Sequence, residues 1–257
     1  MISLEKPPMT KLTHDEALAL AKKDCVALPE NIISGEITAA DMSCIDDRKN
    51  DGEAKARIPG AGLGVLMDTF AAGLDLKPEE VAEVVESTLG SKISYHTDDA
   101  HIHDPLRCAG CGHCGGALSD PEHYLLSPEV VTFVKETYLP KLDERKVEPE
   151  IYSGKHNSKG VMIINGPITM TSDNENMVYV YHPELHRKAI NQIAAKIAEK
   201  YELNAGEIAE KIWNAAQKRL TVTVEHLAEG FPQYQVSKNE TGEIEIADLG
   251  LVTASHH

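Results

Sequence analysis

The spacing of apolar residues along the chain predicts helices in its N-terminal, middle and C-terminal parts. In these segments apolar side chains recur every three or four residues, mostly behind a capping residue or a proline, which is typical of amphipathic helices. The predicted helices begin at Thr13, at Leu63, at Pro78, at Ser127, at residue 183 and at Asn204. The helix from Pro78 is expected to end at Gly90, because glycine commonly follows a last helical turn.

Short apolar or alternating runs bounded by glycine, asparagine and aspartate predict strands between these helices. The candidates are Met42–Ile45, Ile93–His96, Val161–Asn165 and Met177–Tyr181, with Leu220–Val224 as a weaker fifth. Strands interleaved with helices indicate the α/β class. Because no internal repeat or low-complexity linker divides the chain, residues 1–257 are expected to form a single domain.

Composition and charge narrow the classes of function. The chain has 257 residues, 42% of them hydrophobic, and a net charge of −16. A surface this acidic repels phosphate backbones and anionic lipids, so neither nucleic acid nor a membrane surface is an expected partner. The N-terminus is charged throughout and five cysteines are an odd number for disulfide pairing. We therefore expect a cytoplasmic protein with reduced thiols.

Potential metal ligands are concentrated in one segment. Four of the 12 histidines and three of the five cysteines lie between His96 and Cys114. Thiolate and imidazole together suit Zn²⁺ or the softer Cd²⁺, whereas Mg²⁺ and Ca²⁺ prefer oxygen ligands. Taken alone, the Cys108-x-x-Cys111-x-x-Cys114 run also fits a structural zinc knuckle or part of an iron–sulfur site, although such a cluster usually needs four cysteines.

A second group of chemically useful residues follows the first predicted strand. In extended backbone, side chains two residues apart share a face, which places Cys44, Asp46 and Arg48 on one side. The thiolate of such a trio can hold a metal and the carboxylate can accept a hydrogen bond from a metal-bound hydroxide. The guanidinium can hold the carboxylate away from the metal through a bidentate pair.

This C-x-D-x-R pattern resembles the metal-and-dyad signature of the β-class carbonic anhydrases, which the ζ-class (cadmium/zinc) carbonic anhydrases share. Two further features are similar to the ζ-class. Residues 57–62 read Arg-Ile-Pro-Gly-Ala-Gly, and His101 stands ten residues before Cys111, which glycines flank. The match is best over residues 40–115.

The resemblance implies a fold, a metal and a reaction. The fold is an α/β structure like that of the β-class enzymes, with a central mixed β-sheet flanked by helices. One Zn²⁺ or Cd²⁺ per chain is expected on Cys44, His101 and Cys111, with water in the fourth position. The metal lowers the pKa of that water from ~15.7 towards ~7, so that hydroxide adds to CO₂ and gives bicarbonate. Asp46 and Arg48 are the expected catalytic dyad.

Substrate binding and proton transfer have further candidates. Gly60, Ala61 and Gly62 precede the apolar helix, and backbone N–H groups at such a start can receive the bicarbonate product. The imidazoles of His96, His103 and His113 are candidates for the proton shuttle. Cys108 and Cys114 are additional donors whose role stays open, as does assembly into a homo-oligomer.

Two other functions remain open. COS or CS₂ hydrolysis needs similar chemistry on the same scaffold. A non-catalytic zinc- or cadmium-binding protein, for storage or structure, would use the three-cysteine run, and metal stoichiometry would distinguish it. The remaining internal histidines are expected to face solvent or to cap helices: His14, His123, His156, His182, His186 and His226.

Overall fold

The computed structural model describes residues 15, 19, 32, 34–39, 41–43, 45, 56–90, 112–144, 160–164, 167–171, 179–228 and 232–253. The predicted strand Ile93–His96 lies outside these residues. Of the helix predicted from Thr13, Asp15 and Ala19 are described, and both are helical. The expectation of a single domain over residues 1–257 stays a prediction.

Helices make up most of the described chain. In order they are α1 (Ala61–Ala71), α2 (Pro78–Leu89), α3 (Gly112–Ser119), α4 (Pro128–Phe133), a π-helical turn (Val134–Tyr138), α5 (Leu139–Glu144), α6 (Pro183–Tyr201) and α7 (Ala205–Ala228). The helices predicted from Leu63, Pro78, Ser127, residue 183 and Asn204 are therefore confirmed.

The described strands belong to two sheets. The strands are β1 (Met42–Ser43), β2 (Ala56–Arg57), β3 (Gly160–Ile164), β4 (Pro167–Thr171), β5 (Tyr179–Tyr181), β6 (Pro232–Lys238) and β7 (Ile244–Leu251). Strands β1 and β2 pair in parallel. The second sheet has the order β5-β3-β4-β6-β7, in which β3 and β5 are parallel and the other neighbours are antiparallel. The described chain thus combines helices with strands, and helices predominate.

Local chemistry explains the helix ends. Pro78 stands at the start of α2, where the missing N–H costs nothing, and Gly90 ends the helix with a φ of 89°. The Ser127 hydroxyl accepts a hydrogen bond from the Val130 N–H. The Asn204 side chain accepts bonds from Gly206 and Glu207 at 2.9 and 3.2 Å, so it satisfies two of the N–H groups that a helix start leaves free.

The apolar core lies between helices. The predicted faces of α2, α6 and α7 are buried in one continuous cluster with α1 and the segment Val130–Leu139. In α6 this face comprises Ile190, Ile193, Ala194 and Ile197, all fully buried. Helix α1 is buried along nearly its whole length, from Gly62 to Thr69. The loop that precedes α1 is thereby anchored to the core by the helix that follows it.

The predicted strand Leu220–Val224 is wrong, because these residues form part of α7. β-Branched residues favour strands, but here the hydroxyls of Thr221 and Thr223 bond to the carbonyls of Gln217 and Arg219, each at 2.9 Å and four residues earlier. Burial of Leu220 and Thr223 on the inner face of the helix outweighs the local strand preference.

The sequence pattern does not predict strands β4, β6 and β7. Strands β6 and β7 form a hairpin whose turn is organised by the Asn239 side chain, which accepts the backbone N–H groups of Thr241 and Glu243. Gly242 in this turn has a φ of 82°, a conformation that glycine adopts without steric cost. Among the described residues, no helix is long and apolar enough to cross a membrane.

Candidate functional site

Most of the predicted site residues lie outside the part of the chain that the structure describes. These are Cys44, Asp46, Arg48, His96, His101, His103, Cys108 and Cys111. The backbone of His113 lies in α3, but its side chain is not described. Gly60, Ala61, Gly62 and Cys114 are described, and their surroundings show which elements meet beside the predicted metal ligands.

The segment before Cys44 lies next to the segment before Gly60. In the β1–β2 pair, Ser43 is opposite Arg57, and the Ala56 N–H donates to the Asp41 carbonyl at 2.9 Å. Because the two strands are parallel, the chain leaves both of them at the same end. Ser43, the residue before the C-x-D-x-R segment, and Arg57, the first residue of the Arg57–Gly62 loop, are therefore neighbours.

The loop enters α1 through two residues with positive φ. Gly60 has a φ of 66° and Ala61 a φ of 49°. The Ala61 N–H donates to the Ile58 carbonyl and the Gly64 N–H to the Gly60 carbonyl, each at 2.9 Å. Helix geometry leaves the intervening N–H groups, those of Gly62 and Leu63, as the ones suited to an anion. No acidic side chain lies in this first turn to compete.

Cys114 packs against the same loop. A Cβ atom placed on Gly60 would lie 2.4 Å from Cys114 Sγ, so only glycine permits this approach. The cysteine is 1% exposed and belongs to the apolar core. Close packing is sufficient to explain its burial. The contact also brings the end of the predicted ligand segment, three residues after Cys111, to the loop that follows Arg57.

A different set of buried polar groups lies between α1, α6 and α7. Asp68, His186 and Arg219 are fully buried. The Arg219 Nε donates to Asp68 Oδ1 at 2.9 Å, and His186 Nε2 lies 3.1 Å from Asp68 Oδ2. The Tyr181 hydroxyl lies 2.9 Å from His186 Nδ1, and Gln217 donates to that hydroxyl at 3.3 Å.

The direction of these hydrogen bonds follows from the Asp68–Arg219 ion pair at one end of the network. An Asp68 carboxylate can only accept, so His186 carries its proton on Nε2 and its Nδ1 accepts from the Tyr181 O–H. Burial raises the pKa of Tyr181, which keeps this phenol protonated and able to donate. Both ring nitrogens of His186 are thus used. The network joins four elements and leaves the imidazole no capacity for a ligand.

His182 occupies a separate buried place at the start of α6. Its Nδ1 accepts the Arg57 N–H at 2.8 Å, and its own N–H donates to the Arg57 carbonyl at 2.9 Å. Strand β2 bonds to β1 through Ala56 and to His182 through Arg57, so His182 completes the second edge of the strand. Its Nε2 is buried without a hydrogen-bond partner among the described residues.

Burial governs the charge state of His182. Desolvation, with a further contribution from the positive Arg57 guanidinium, lowers the pKa of His182 to about 3. The imidazole is therefore neutral at physiological pH. Since Nδ1 accepts a hydrogen bond, the single ring proton lies on Nε2.

The expectation that these histidines face solvent or cap helices is wrong for His186, which is fully buried within α6, and His182 is fully buried as well. His182 does stand at the helix-capping position, but its side chain bonds to Arg57 instead of to the helix N–H groups. A signal for His186 was present: it precedes Ile190, Ile193 and Ile197 at helical spacing, which places it on the buried face. His123 is exposed, as expected.

The described part of the site can hold an anion and can position a loop, but it contains no complete metal centre. No group of three or more His, Cys, Asp or Glu side chains within the described residues is placed to bind a metal ion. The predicted ligand set itself lies outside them. Comparisons of the chain with protein-family models, with curated proteins and with solved structures find no match.

Proposed function

We propose that the protein is a metal-dependent carbonic anhydrase, which hydrates CO₂ reversibly to bicarbonate. The observation that carries the proposal is the contact between Cys114 and Gly60. It joins the end of the histidine- and cysteine-rich segment to the loop that follows β2, and the β1–β2 pair sets Ser43, the residue before the C-x-D-x-R segment, opposite Arg57. Parts of the chain that are about fifty to seventy residues apart in sequence thus come together.

The donor chemistry fits a thiolate-rich metal site. Cys44, His101 and Cys111 would hold one Zn²⁺ or Cd²⁺, since two thiolates and an imidazole suit these ions and leave a position open. When bound, the metal supplies a nucleophile from water near neutral pH. Cys114, buried in the core, stays outside this ligand set in the proposal.

The remaining roles belong to the chain itself. The Asp46 carboxylate accepts a hydrogen bond from the nucleophile and thereby orients it, and Arg48 holds that carboxylate through a bidentate pair. The Gly60–Gly62 turn offers the N–H groups of Gly62 and Leu63 to the bicarbonate oxygens. Proton transfer to solvent falls to His96, His103 or His113.

The proposal includes the fold that the resemblance implies, a central mixed β-sheet flanked by helices. Support comes from the mixed pairing of the five-stranded sheet and from His182, which bonds to β2 immediately after β5 ends. Helices α1 and α6 lie next to these strands in the sequence and pack together in the core.

Stopped-flow CO₂ hydration, with metal analysis on the same preparation, tests the proposal. We expect one metal per chain, which Cys44→Ser removes together with the activity. Asp46→Asn should retain the metal and lose most of the activity. Cys25→Ser is the matched control, since this cysteine lies outside the predicted ligand set and its loss should change neither measurement.

The same experiment separates the alternative functions. A full metal content without CO₂ hydration, but with turnover of COS or CS₂, would indicate the hydrolase. Two or more metals per chain, or retention of the metal by Cys44→Ser, would indicate a storage or structural protein. An Asp46→Asn variant with full activity would contradict the proposed dyad.

A further inference from the structure

We propose that strand β7 pairs antiparallel with β7 of a second copy of this chain, so that the five-stranded sheet continues across a two-fold axis at Ile246. This pairing is independent of the metal and of the proposed reaction. Its grounds are the unpaired edge of β7, the apolar side chains exposed along that edge, the length over which the strand is regular, and the charges that would meet across the axis.

Strand β7 is the outermost strand among the described strands of its sheet. It is eight residues long (Ile244–Leu251) and pairs with β6 on one side, while its other side has no partner in the described part of the chain. An edge strand presents N–H and C=O groups on which another strand can pair. Lysine and proline commonly protect such edges, and β7 contains neither. The edge is therefore suited to accept a further strand.

Large apolar side chains are exposed along this edge. Leu249 and Leu251 are 47% and 50% exposed, and Ile244 and Ile246 are half-buried. Ile244, Ile246 and Leu251 lie on one face of the sheet, because their partners on β6 are separated by even numbers of residues. A row of exposed apolar side chains indicates an interaction surface.

A β-bulge sets the length over which β7 can pair regularly. Tyr234 pairs with Asp248 and Gln233 with Gly250, so Leu249 has no partner on β6. A bulge bends its strand and interrupts regular pairing. The regular part of β7 is therefore Ile244–Asp248, and its central residue is Ile246. A two-fold axis at this centre pairs every residue of the regular part with a residue of the second copy.

The acidic residues of β7 favour the same axis. With the axis at Ile246, Glu245 lies opposite Ala247 of the second copy and Asp248 lies opposite Ile244, so no two carboxylates face each other. With the axis at Glu245 or at Asp248, two identical carboxylates would be directly opposite, which is destabilising. An axis at Ala247 would require the bulged Leu249 to pair.

Charge complementarity across the axis favours a second copy as the partner. Lys238 is the partner of Ile244 on β6, so it stands in the same row as Asp248 of the second copy. Two such rows of opposite charge are related by the axis and favour association against the net charge of −16 on each chain. Because both copies use the same edge, the pairing closes as a dimer and leaves neither β7 edge open.

Sedimentation equilibrium of the full-length protein over a wide range of concentrations tests the dimer, at about 0.15 M salt, where exposed charges are largely screened. We expect a reversible dimer of the wild type. Ile246→Lys places two like charges opposite each other at the axis and should weaken dimerisation about tenfold. Ile244→Lys is the matched control: it removes an isoleucine from the same face, but its lysine lies opposite Asp248, so the dissociation constant should change less than about threefold.

Cross-linking tests the position of the axis. Ile246 alone pairs with its own copy, and directly opposed Cα atoms in antiparallel strands are about 4.5–5.5 Å apart, a distance that a disulfide spans. Oxidation with copper phenanthroline should therefore link the Ile246→Cys variant into a covalent dimer. Glu240→Cys, at the exposed turn of the hairpin and away from the axis, should not link. The wild type gives the background from the five native cysteines.

Four results would overturn the pairing: a wild type that is monomeric at every concentration, a dimer that Ile246→Lys leaves intact, equal weakening by Ile244→Lys, or no cross-link above the wild-type background. A monomer whose β7 binds a strand of another protein would also overturn it. Circular dichroism and thermal melts show whether each variant folds, and the wild-type mass and the cross-link decide the matter even if Ile246→Lys does not fold. A monomeric protein that hydrates CO₂ would overturn the dimer and retain the proposed function.

Discussion

Two buried histidines, one at the N-cap of α6 and the other four residues later in its first turn, differ in how their ring nitrogens are bonded. His186 bonds through both ring nitrogens, to Asp68 and to Tyr181, within a network that includes the ionised Arg219. His182 bonds through Nδ1 to a backbone N–H, and its Nε2 is left buried without a partner in the described structure. Both residues are fully buried, so burial does not distinguish them.

The difference lies in whether the polar atoms are satisfied. The His186 network is complete within the protein, and its physical role is to join α1, α6 and α7 around one carboxylate. The His182 imidazole holds the base of the Arg57–Gly62 loop and still has a donor to offer. A complete network indicates a structural role, whereas the buried Nε2 of His182 has no partner among the described residues.

The largest expected effect comes from breaking the complete network. Asp68→Asn removes the carboxylate charge that pairs with the fully buried Arg219 guanidinium. We expect the free energy of unfolding to fall by about 3–5 kcal/mol, measured by urea denaturation at neutral pH. Glu83→Gln is the control: it removes one partner of the exposed Lys200–Glu83 pair and should leave the free energy of unfolding nearly unchanged, because solvent screens this pair.

A double variant tests whether the loss of stability comes from breaking the buried charge pair. Replacing both charges, with Asp68→Leu and Arg219→Met together, leaves neither ion unpaired, so this variant should be less destabilised than the sum of its single changes. An Asp68→Asn variant as stable as the wild type would show that the network does not hold the helices together.

The second prediction concerns pH and His182. The pKa of His182 is about 3 in the folded protein and close to 6.5 when unfolded, so below pH 6.5 the unfolded chain binds a proton that the folded chain rejects. Stability therefore falls as the pH falls from about 6.5 towards 3, with a slope approaching ~1.4 kcal/mol per pH unit.

The matched measurement compares wild type with His182→Asn, which has no titrating group at this position. Between pH 7 and pH 5 the wild type should lose about 2 kcal/mol of unfolding free energy relative to the variant, because other groups titrate alike in both. A difference independent of pH would mean that the imidazole is accessible to protons in the folded state. The experiment is done without bicarbonate, so that ligand binding does not contribute.

The third prediction concerns the loop that His182 anchors, and its measured quantity is the difference between two glycine substitutions. Gly60→Ala introduces a side chain at a φ of 66° and 2.4 Å from Cys114 Sγ, whereas Gly73→Ala meets a similar φ of 62° in open space at the other end of α1. Both changes carry the cost of a left-handed backbone, about 1–2 kcal/mol. Gly60→Ala should cost about 1–3 kcal/mol more, through overpacking.

The sulfur contact can be isolated by a double-mutant cycle. In a Cys114→Ala background the additional cost of Gly60→Ala should become smaller, because the nearest atom is gone. Equal effects of Gly60→Ala and Gly73→Ala would contradict the close approach of α3 to the loop, and with it the observation on which the proposed function rests.

The helices were predictable because their signals are local. Proline, serine and asparagine cap α2, α4 and α7 through residues within three positions, and the buried faces repeat at helical spacing. The Leu220–Val224 run shows the limit of such signals, since a strand-favouring composition lies inside α7. The hairpin of β6 and β7 depends on an asparagine-centred turn whose residues do not form a familiar turn pair.

The candidate site likewise combines features that are visible in the sequence with contacts between residues that are far apart in the chain. The sequence alone showed that histidines and cysteines are concentrated between His96 and Cys114, and its resemblance to the ζ-class carbonic anhydrases predicts Cys44, His101 and Cys111 as metal ligands. It could not indicate that Asp68 and Arg219, 151 residues apart, share a buried ion pair. Nor could it indicate that His182 bonds to Arg57 across 125 residues.

Local patterns thus determined the helices and their caps, since each depends on neighbours within one or two turns of chain, and the sequence directly displays the histidine- and cysteine-rich segment. Tertiary structure alone decided which ring nitrogens of the buried histidines have hydrogen-bond partners. The physical reason is that desolvation and hydrogen bonding in the core depend on groups brought together by folding. These long-range contacts distinguish His186, whose two ring nitrogens are both bonded, from His182, whose Nε2 has no partner among the described residues.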